Sequence, residues 1–129
     1  PRTFLGIQVE GFPNMFTLVG PHNAATFCNI PRCIEQNVEW VSDLVDFMTA
    51  KGLATVDATL AAEEEWTEHV YQSAERMLLT KVDSWFNGIN SNIPGRQTRN
   101  FLLYAAGAPA YREKCDTVAG NGYSGMSFE

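Results

Sequence analysis

The run Met15-Phe16-Thr17-Leu18-Val19 constrains this chain more than any other feature: it is apolar but for one threonine, and Gly20-Pro21 cuts it off. A short continuous apolar run between turn formers predicts a strand buried on both faces, as in parallel sheets, rather than an alternating edge strand. Such a strand needs neighbours. After a loop from His22 to Phe27, the pattern predicts a long helix over about 29–51, with Asn29 as N-cap, Pro31 in the first turn and Gly52 just past the end. Ile30, Ile34, Val38, Val41, Val45 and Met48 recur at helical spacing opposite Arg32, Glu35, Glu39, Asp43 and Asp46, so they are the expected inner face. Strand, glycine turn and helix together make a βα unit.

A second helix is expected over about 59–78, with Thr59 as cap and Trp66, Val70, Ala74 and Met77 or Leu78 on its inner stripe. Its acidic run Glu63-Glu64-Glu65 suits the positive end of the helix dipole on a solvated face and is assigned no chemistry. From about 79 to 99 periodicity gives way to turn formers: Asn87-Gly88, Asn90-Ser91-Asn92 and Pro94-Gly95. A loop of that length in a compact protein is functional or disordered. Phe101-Leu102-Leu103-Tyr104 then reads as a strand and Tyr111 to Ala119 as a helix, a second βα-like unit over about 100–122. With 129 residues, 45% hydrophobic, the chain is one domain or part of one. Two such units cannot cover both faces of a parallel sheet, so an incomplete fold is expected, held by self-association, a missing segment or a swapped element. The absence of an initiator methionine at Pro1 points the same way.

A formal net charge of −6 denies the chain the basic footprint that nucleic-acid binding requires. No apolar run approaches the ~20 residues of a membrane span, and no leader pattern opens the chain, so a cytoplasmic protein is expected. Cys28, Cys33 and Cys115 are read as reduced structural thiols, Cys28 and Cys33 being poorly placed to bridge across a helix start. His22 and His69 lack spaced ligand partners, so no metal site is expected. There is no G-x-S-x-G elbow, no phosphate-cradling P-loop and no G-x-G-x-x-G. What remains is the start of the long helix, whose free backbone N–H groups and partial positive charge suit an electron-rich group such as a flavin's pyrimidine carbonyl.

The stretch G-F-P-N-M-F-T-L-V-G-P-H-N-A-A-T-F-C-N-I-P-R-C-I-E-Q-N-V-E-W-V, Gly11 to Val41, resembles the C-terminal part of the FAD domain of Baeyer-Villiger monooxygenases, the cyclohexanone, phenylacetone and steroid monooxygenase group. The resemblance resumes at W-T-E-H-V (66–70), D-S-W-F-N-G (83–88), I-P-G-R (93–96), A-Y-R-E-K-C-D (110–116) and G-Y-S-G (122–125). It implies an α/β fold: an incomplete C-terminal portion of a Rossmann-like FAD-binding domain, helix-rich with few strands, extending over residues 1–129. It also implies a parent enzyme that uses FAD and NADPH to insert one oxygen atom of dioxygen next to a ketone carbonyl, giving an ester or lactone.

By the same resemblance, Ala25, Thr26, Phe27 and Ile30 line the ketone pocket, and Asn29 and Ile30 approach the FAD through their backbone. The segment at 79–99 corresponds to a control loop in which Trp85 reaches the ribose of NADP. Plain packing roles for Phe27, Ile30 and Trp85 stay open beside these. The family's nucleotide fingerprints, signature motif and catalytic arginine have no counterpart in these residues, so both cofactors would be bound mainly by residues absent from this chain. No catalytic residue is assigned, and the fragment alone is expected to be inactive. The missing N-terminal portion of the same protein, or a second copy, is the expected partner. Two alternatives remain: a stand-alone interaction module completed by self-association, and a flavin enzyme that oxidises nitrogen or sulfur.

Overall fold

A computed structural model describes residues 1–24, 27–95 and 98–129. Its elements in chain order are α1 (Ile30–Lys51), β1 (Val56–Ala58), α2 (Leu60–Ala74), α3 (Ala108–Gly120) and β2 (Met126–Phe128), with two single 3-10 turns at Leu78–Lys81 and Trp85–Asn87. The described residues are thus helix-rich with two short strands, a partial α/β arrangement.

Helix α1 starts where Pro31 presets the first turn, and it stops where Gly52 takes a left-handed φ of 67° and donates to Met48 and Thr49 carbonyls. The face it buries is not the expected one. Cys33, Asn37, Trp40, Leu44 and Met48 point inward, whereas Ile30, Ile34, Val38 and Val45 are exposed and Val41 is partly buried. Both stripes have helical spacing; the buried one wins because α3 lies against it and supplies specific partners. The Trp40 indole N–H donates to Cys115 O (3.0 Å), and Asn37 bonds to the Tyr111 hydroxyl.

Helix α2 begins at Thr59, whose hydroxyl accepts from Ala62 N (3.3 Å), and it ends at Ala74, short of the expected 78. Trp66, Val70 and Ala74 face inward, while Leu78 lies beyond the helix and is 79% exposed. Trp66 stacks on Tyr104 (5.1 Å between centroids) with Tyr111 at its edge. This aromatic group joins α2, α3 and the 101–104 segment into one core with Leu5, Ile7 and Leu44.

Neither predicted parallel strand forms as a strand. Thr17 N and its hydroxyl bond to the Ile7 and Gly6 carbonyls, Val19 N donates to the Asn37 side chain, and Val19 adopts φ 58°, so the 15–19 run spends its donors on a turn instead of a ladder. Met15 and Leu18 are exposed. One parallel rung survives, Asn23 with Leu103, flanked by His22 N to Leu102 O (2.8 Å) and Tyr104 N to Asn23 O (3.2 Å). The sheet that does form is antiparallel: β1 pairs with β2, Val56 opposite Phe128 and Ala58 opposite Met126.

A buried polar hub ties these parts together. The Tyr111 hydroxyl donates to Leu5 O (2.7 Å) and accepts from Asn23 (2.7 Å) and Asn37 (3.2 Å), while Asn23 also donates to Asn37 Oδ1 (2.8 Å). Every member is at most 2% exposed, so the bonds satisfy groups that would otherwise be costly to bury.

Candidate functional site

Two surfaces carry the residues singled out in the sequence. The first is the entry to α1. Ala25 and Thr26 lie outside the described residues. Phe27 and Ile30 are 43% and 53% exposed, so neither is a packed core residue of this chain. Asn29 has extended backbone (φ −66°, ψ 110°) and makes no side-chain cap. Cys33 N is the first amide of the helix to find a carbonyl, that of Asn29, and no acceptor among the described residues meets the amides of Ile30 and Arg32. The helix therefore presents open donors at its positive end, an arrangement suited to an electron-rich group. Cys28 and Cys33 are joined as a disulfide, their Cα atoms 7.0 Å apart. This corrects the reading of both as reduced thiols: the extended Asn29 turn lets Cys28 fold back over the first helical turn.

The entry is anchored from below by His22, which is fully buried. Its Nε2 lies 3.1 Å from Phe101 O and its Nδ1 3.4 Å from the Thr3 hydroxyl. Burial lowers its pKa to about 4, outweighing the backbone hydrogen bond that favours the charged form. The ring is neutral at pH 7, with Nε2–H donating to Phe101 O.

The second surface is the turn that carries Trp85. Ser84 caps it by accepting from Phe86 N (3.2 Å), and Gly88, with φ 70°, closes it on Trp85 O. Trp85 is 76% exposed, and its indole N–H has no partner among the described residues. The turn is held from inside: buried Asn87 donates to Leu79 O (2.6 Å) and Val82 O (2.5 Å). Arg99 donates to Thr80 O (3.2 Å), Val82 O (3.1 Å) and Asp83 (2.5 Å). In the sequence Asn87 reads only as a turn former, and Arg99 carries no signal of a role. The polar residue in an otherwise apolar W-F-N-G turn was the available signal.

No hydrogen bond or ring contact among the described residues joins Trp85 to the α1 entry, and neither surface is a closed pocket. A pocket of about 270 Å³ is lined by Tyr71, Phe101 and the Thr80, Asn87 and Arg99 that brace the Trp85 turn, and a groove of about 560 Å³ lies between α2 and α3, beside Trp66, His69 and Lys114. The Trp66 indole N–H is buried and has no hydrogen-bond partner among the described residues. His69 leans on the Tyr104 hydroxyl (3.0 Å), and its pKa is lowered by desolvation and by Lys114. No cluster of three or more His, Cys, Asp or Glu side chains able to hold a metal occurs among the described residues. No helix among them is long and apolar enough to cross a membrane.

Open donors beside a loop, and an outward-facing tryptophan on a braced turn, do not by themselves define a site in this chain. Comparison gives their context: over nearly its whole length the chain is similar to curated monooxygenases, among them proteins named Baeyer-Villiger monooxygenase and FAD-binding monooxygenase. It is 42% identical to 2-oxo-Delta(3)-4,5,5-trimethylcyclopentenylacetyl-CoA monooxygenase of Pseudomonas putida over 128 residues, 99% of this chain and 24% of that protein. It is 36% identical to acetone monooxygenase (methyl acetate-forming) of Gordonia sp. (strain TY-5), covering 98% of this chain and 24% of the relative. It is 39% identical to phenazine N-monooxygenase PhzNO1 of Lysobacter antibioticus, covering 98% and 22%.

Among solved structures, it superposes on cyclohexanone monooxygenase from Rhodococcus sp. Phi1 bound to NADP+ with a TM-score of 0.90 at 35% identity, covering all of this chain and 23% of that one. OTEMO in complex with FAD and NADP gives 0.88 at 41%, again covering 100% and 23%. The chain thus spans about a quarter of the length of the relatives it matches. No protein-family model matches it.

Proposed function

We propose that this chain is the C-terminal segment of the Rossmann-like FAD-binding domain of a Baeyer-Villiger monooxygenase. Within that enzyme it supplies one wall and one lid of the oxygenation site. The observation that carries the reading is the similarity, over the whole of this chain, to enzymes whose structures hold FAD and NADP in one case and NADP+ in another. The residues present fit both groups in a peripheral role. The unmet Ile30 and Arg32 amides suit the electron-rich edge of a flavin, and the free Trp85 donor suits a ribose hydroxyl. FAD, reduced by NADPH, would supply the oxygen-transfer chemistry. The chain's own share is steric and electrostatic. Ala25, Thr26, Phe27 and Ile30 shape the ketone pocket, Asn29 and Ile30 approach the flavin through their backbone, and Trp85 closes over the nicotinamide cofactor to exclude water.

The exposed stripe Ile30, Ile34, Val38 and Val45 is, in this reading, covered by the remaining polypeptide that the relatives possess. The cytoplasm, where NADPH is supplied, is the compartment the reading implies. Alone, the chain binds neither cofactor productively and is inactive.

The test is to express the longer polypeptide containing this chain, record its visible spectrum, and assay NADPH oxidation with small cyclic ketones. A bound flavin and stoichiometric lactone support the reading; a colourless protein, or a flavoprotein that gives no ester or lactone, ends it. A second reading, oxidation of an aromatic nitrogen with the same cofactors, is favoured by the 39% identity to the phenazine enzyme. An N-oxide from phenazine with no lactone from ketones would select it.

A further inference from the structure

We propose that Asn87 and Arg99 are positioning residues for Trp85, folding its turn around their own side chains so that the indole is presented on a frame that moves as one piece. The proposal rests on the reading of Trp85 as a contact to the nicotinamide cofactor. Three carbonyls of the approach to Trp85, those of Leu79, Thr80 and Val82, are bonded by side chains rather than by a helix or ladder. Asn87 uses its amide group on two of them and is 2% exposed. Arg99 reaches two of them with one nitrogen and Asp83 with another, so a single guanidinium clamps residues 80–83.

The clamp extends beyond the turn. Asn100 N donates to Asn87 O (2.7 Å) and Leu102 N to Phe86 O (2.8 Å), which lays the turn against the 100–102 segment. That segment is bonded in turn to the α1 entry, through His22 N to Leu102 O and the Asn23–Leu103 rung. A continuous run of main-chain hydrogen bonds therefore joins the turn of Trp85 to the loop before Phe27. The Trp85 side chain contributes nothing to this frame: it is the most exposed of its turn, and its indole donor meets no partner among the described residues. An indole kept in water on a braced turn is placed for a ligand and not for the core.

The experiment uses the full-length flavoprotein carrying this chain, comparing wild type, Trp85→Ala, Asn87→Asp, Arg99→Ala and the two doubles with Trp85→Ala. Asn87→Asp keeps the shape but aims a carboxylate at two carbonyl oxygens. Arg99 is exposed, so Arg99→Ala reports even where the buried variant fails to fold. The expected result is that Trp85→Ala weakens NADP+ binding, that Asn87→Asp weakens it roughly tenfold and Arg99→Ala roughly threefold, and that neither adds to the loss already caused by Trp85→Ala. Amide hydrogen exchange should rise across 79–89 in both variants and stay unchanged across 30–51. If Trp85→Ala weakens binding but Asn87→Asp and Arg99→Ala do not, or if their effects add to it in full, the positioning role is wrong and the Trp85 contact stands. If Trp85→Ala is silent, the contact itself falls, and the proposal with it.

Discussion

Tyr111→Phe is the single change from which the most can be calculated. Removing one oxygen from a fully buried ring leaves its volume almost intact, so the cost is polar rather than a matter of cavity formation. Three groups lose a partner at once: the Leu5 carbonyl, one N–H of Asn23 and one N–H of Asn37. Each buried orphan costs about 1–3 kcal/mol, and neighbours share the penalty, so the loss should be roughly 3–5 kcal/mol. A typical domain has only about 5–15 kcal/mol to lose. Urea unfolding followed by tryptophan fluorescence should show a lower midpoint at unchanged m-value. Adding Asn37→Leu should cost less than it does alone, because the partner it abandons is already gone. A Tyr111→Phe loss below about 1 kcal/mol, or strict additivity in the double variant, would refute the hub as the joint between α1, α3 and the amino-terminal turn.

Two further outcomes follow from single residues. His22 has a folded pKa of about 4, below its unfolded 6.5, so its neutral burial stabilises the fold fully above pH 6.5. That stability is lost as pH falls from 6.5 to about 4, by at most about 3 kcal/mol. Melting temperatures across that window should fall for wild type and flatten for His22→Gln, and parallel slopes would show that another group is responsible. Gly125→Ala puts a Cβ 2.8 Å from that of Ala62 and 2.9 Å from the Phe4 ring at φ 88°, so it should cost roughly 2–4 kcal/mol by thermal denaturation; a cost under about 0.5 kcal/mol would mean that the C-terminal turn does not pack there.

What the sequence disclosed was mainly local. Pro31 and Gly52 bracket α1, and Thr59 caps α2, because caps depend on neighbours a few residues away. The inner face of α1 is not legible in the sequence because two apolar stripes share one helix, and the choice between them lies with Tyr111 and Cys115, over 70 residues on. No periodicity would nominate a stripe with Asn37 at its centre. The β1–β2 pair joins two three-residue strands about 70 residues apart, too short to carry a pattern. At the candidate site, the motif around Trp85 was legible as a resemblance, but the work of Asn87 and Arg99 depends on the chain returning at 99–102 to meet its own turn.

The stripe that sequence reading chose and the fold left outside makes a further test possible. Ile30, Ile34, Val38 and Val45 are each 39–53% exposed along one side of α1, a row too regular for scattered surface residues. If water is its permanent neighbour, Val38→Lys should be neutral everywhere, within about 0.5 kcal/mol. If the remaining three quarters of a monooxygenase lie over it, the same lysine would be driven into an apolar contact. The change should then be neutral in this chain, measured by urea unfolding, and cost roughly 2–4 kcal/mol in the longer polypeptide, with loss of bound flavin. Neutrality in both would mean that α1 faces solvent in the parent and that the covering role belongs to another surface. A large loss in the short chain would contradict the exposure of Val38 itself. Only the contrast between the two lengths supports the view that a helix with two apolar faces was selected to lie between two bodies, of which this chain holds one.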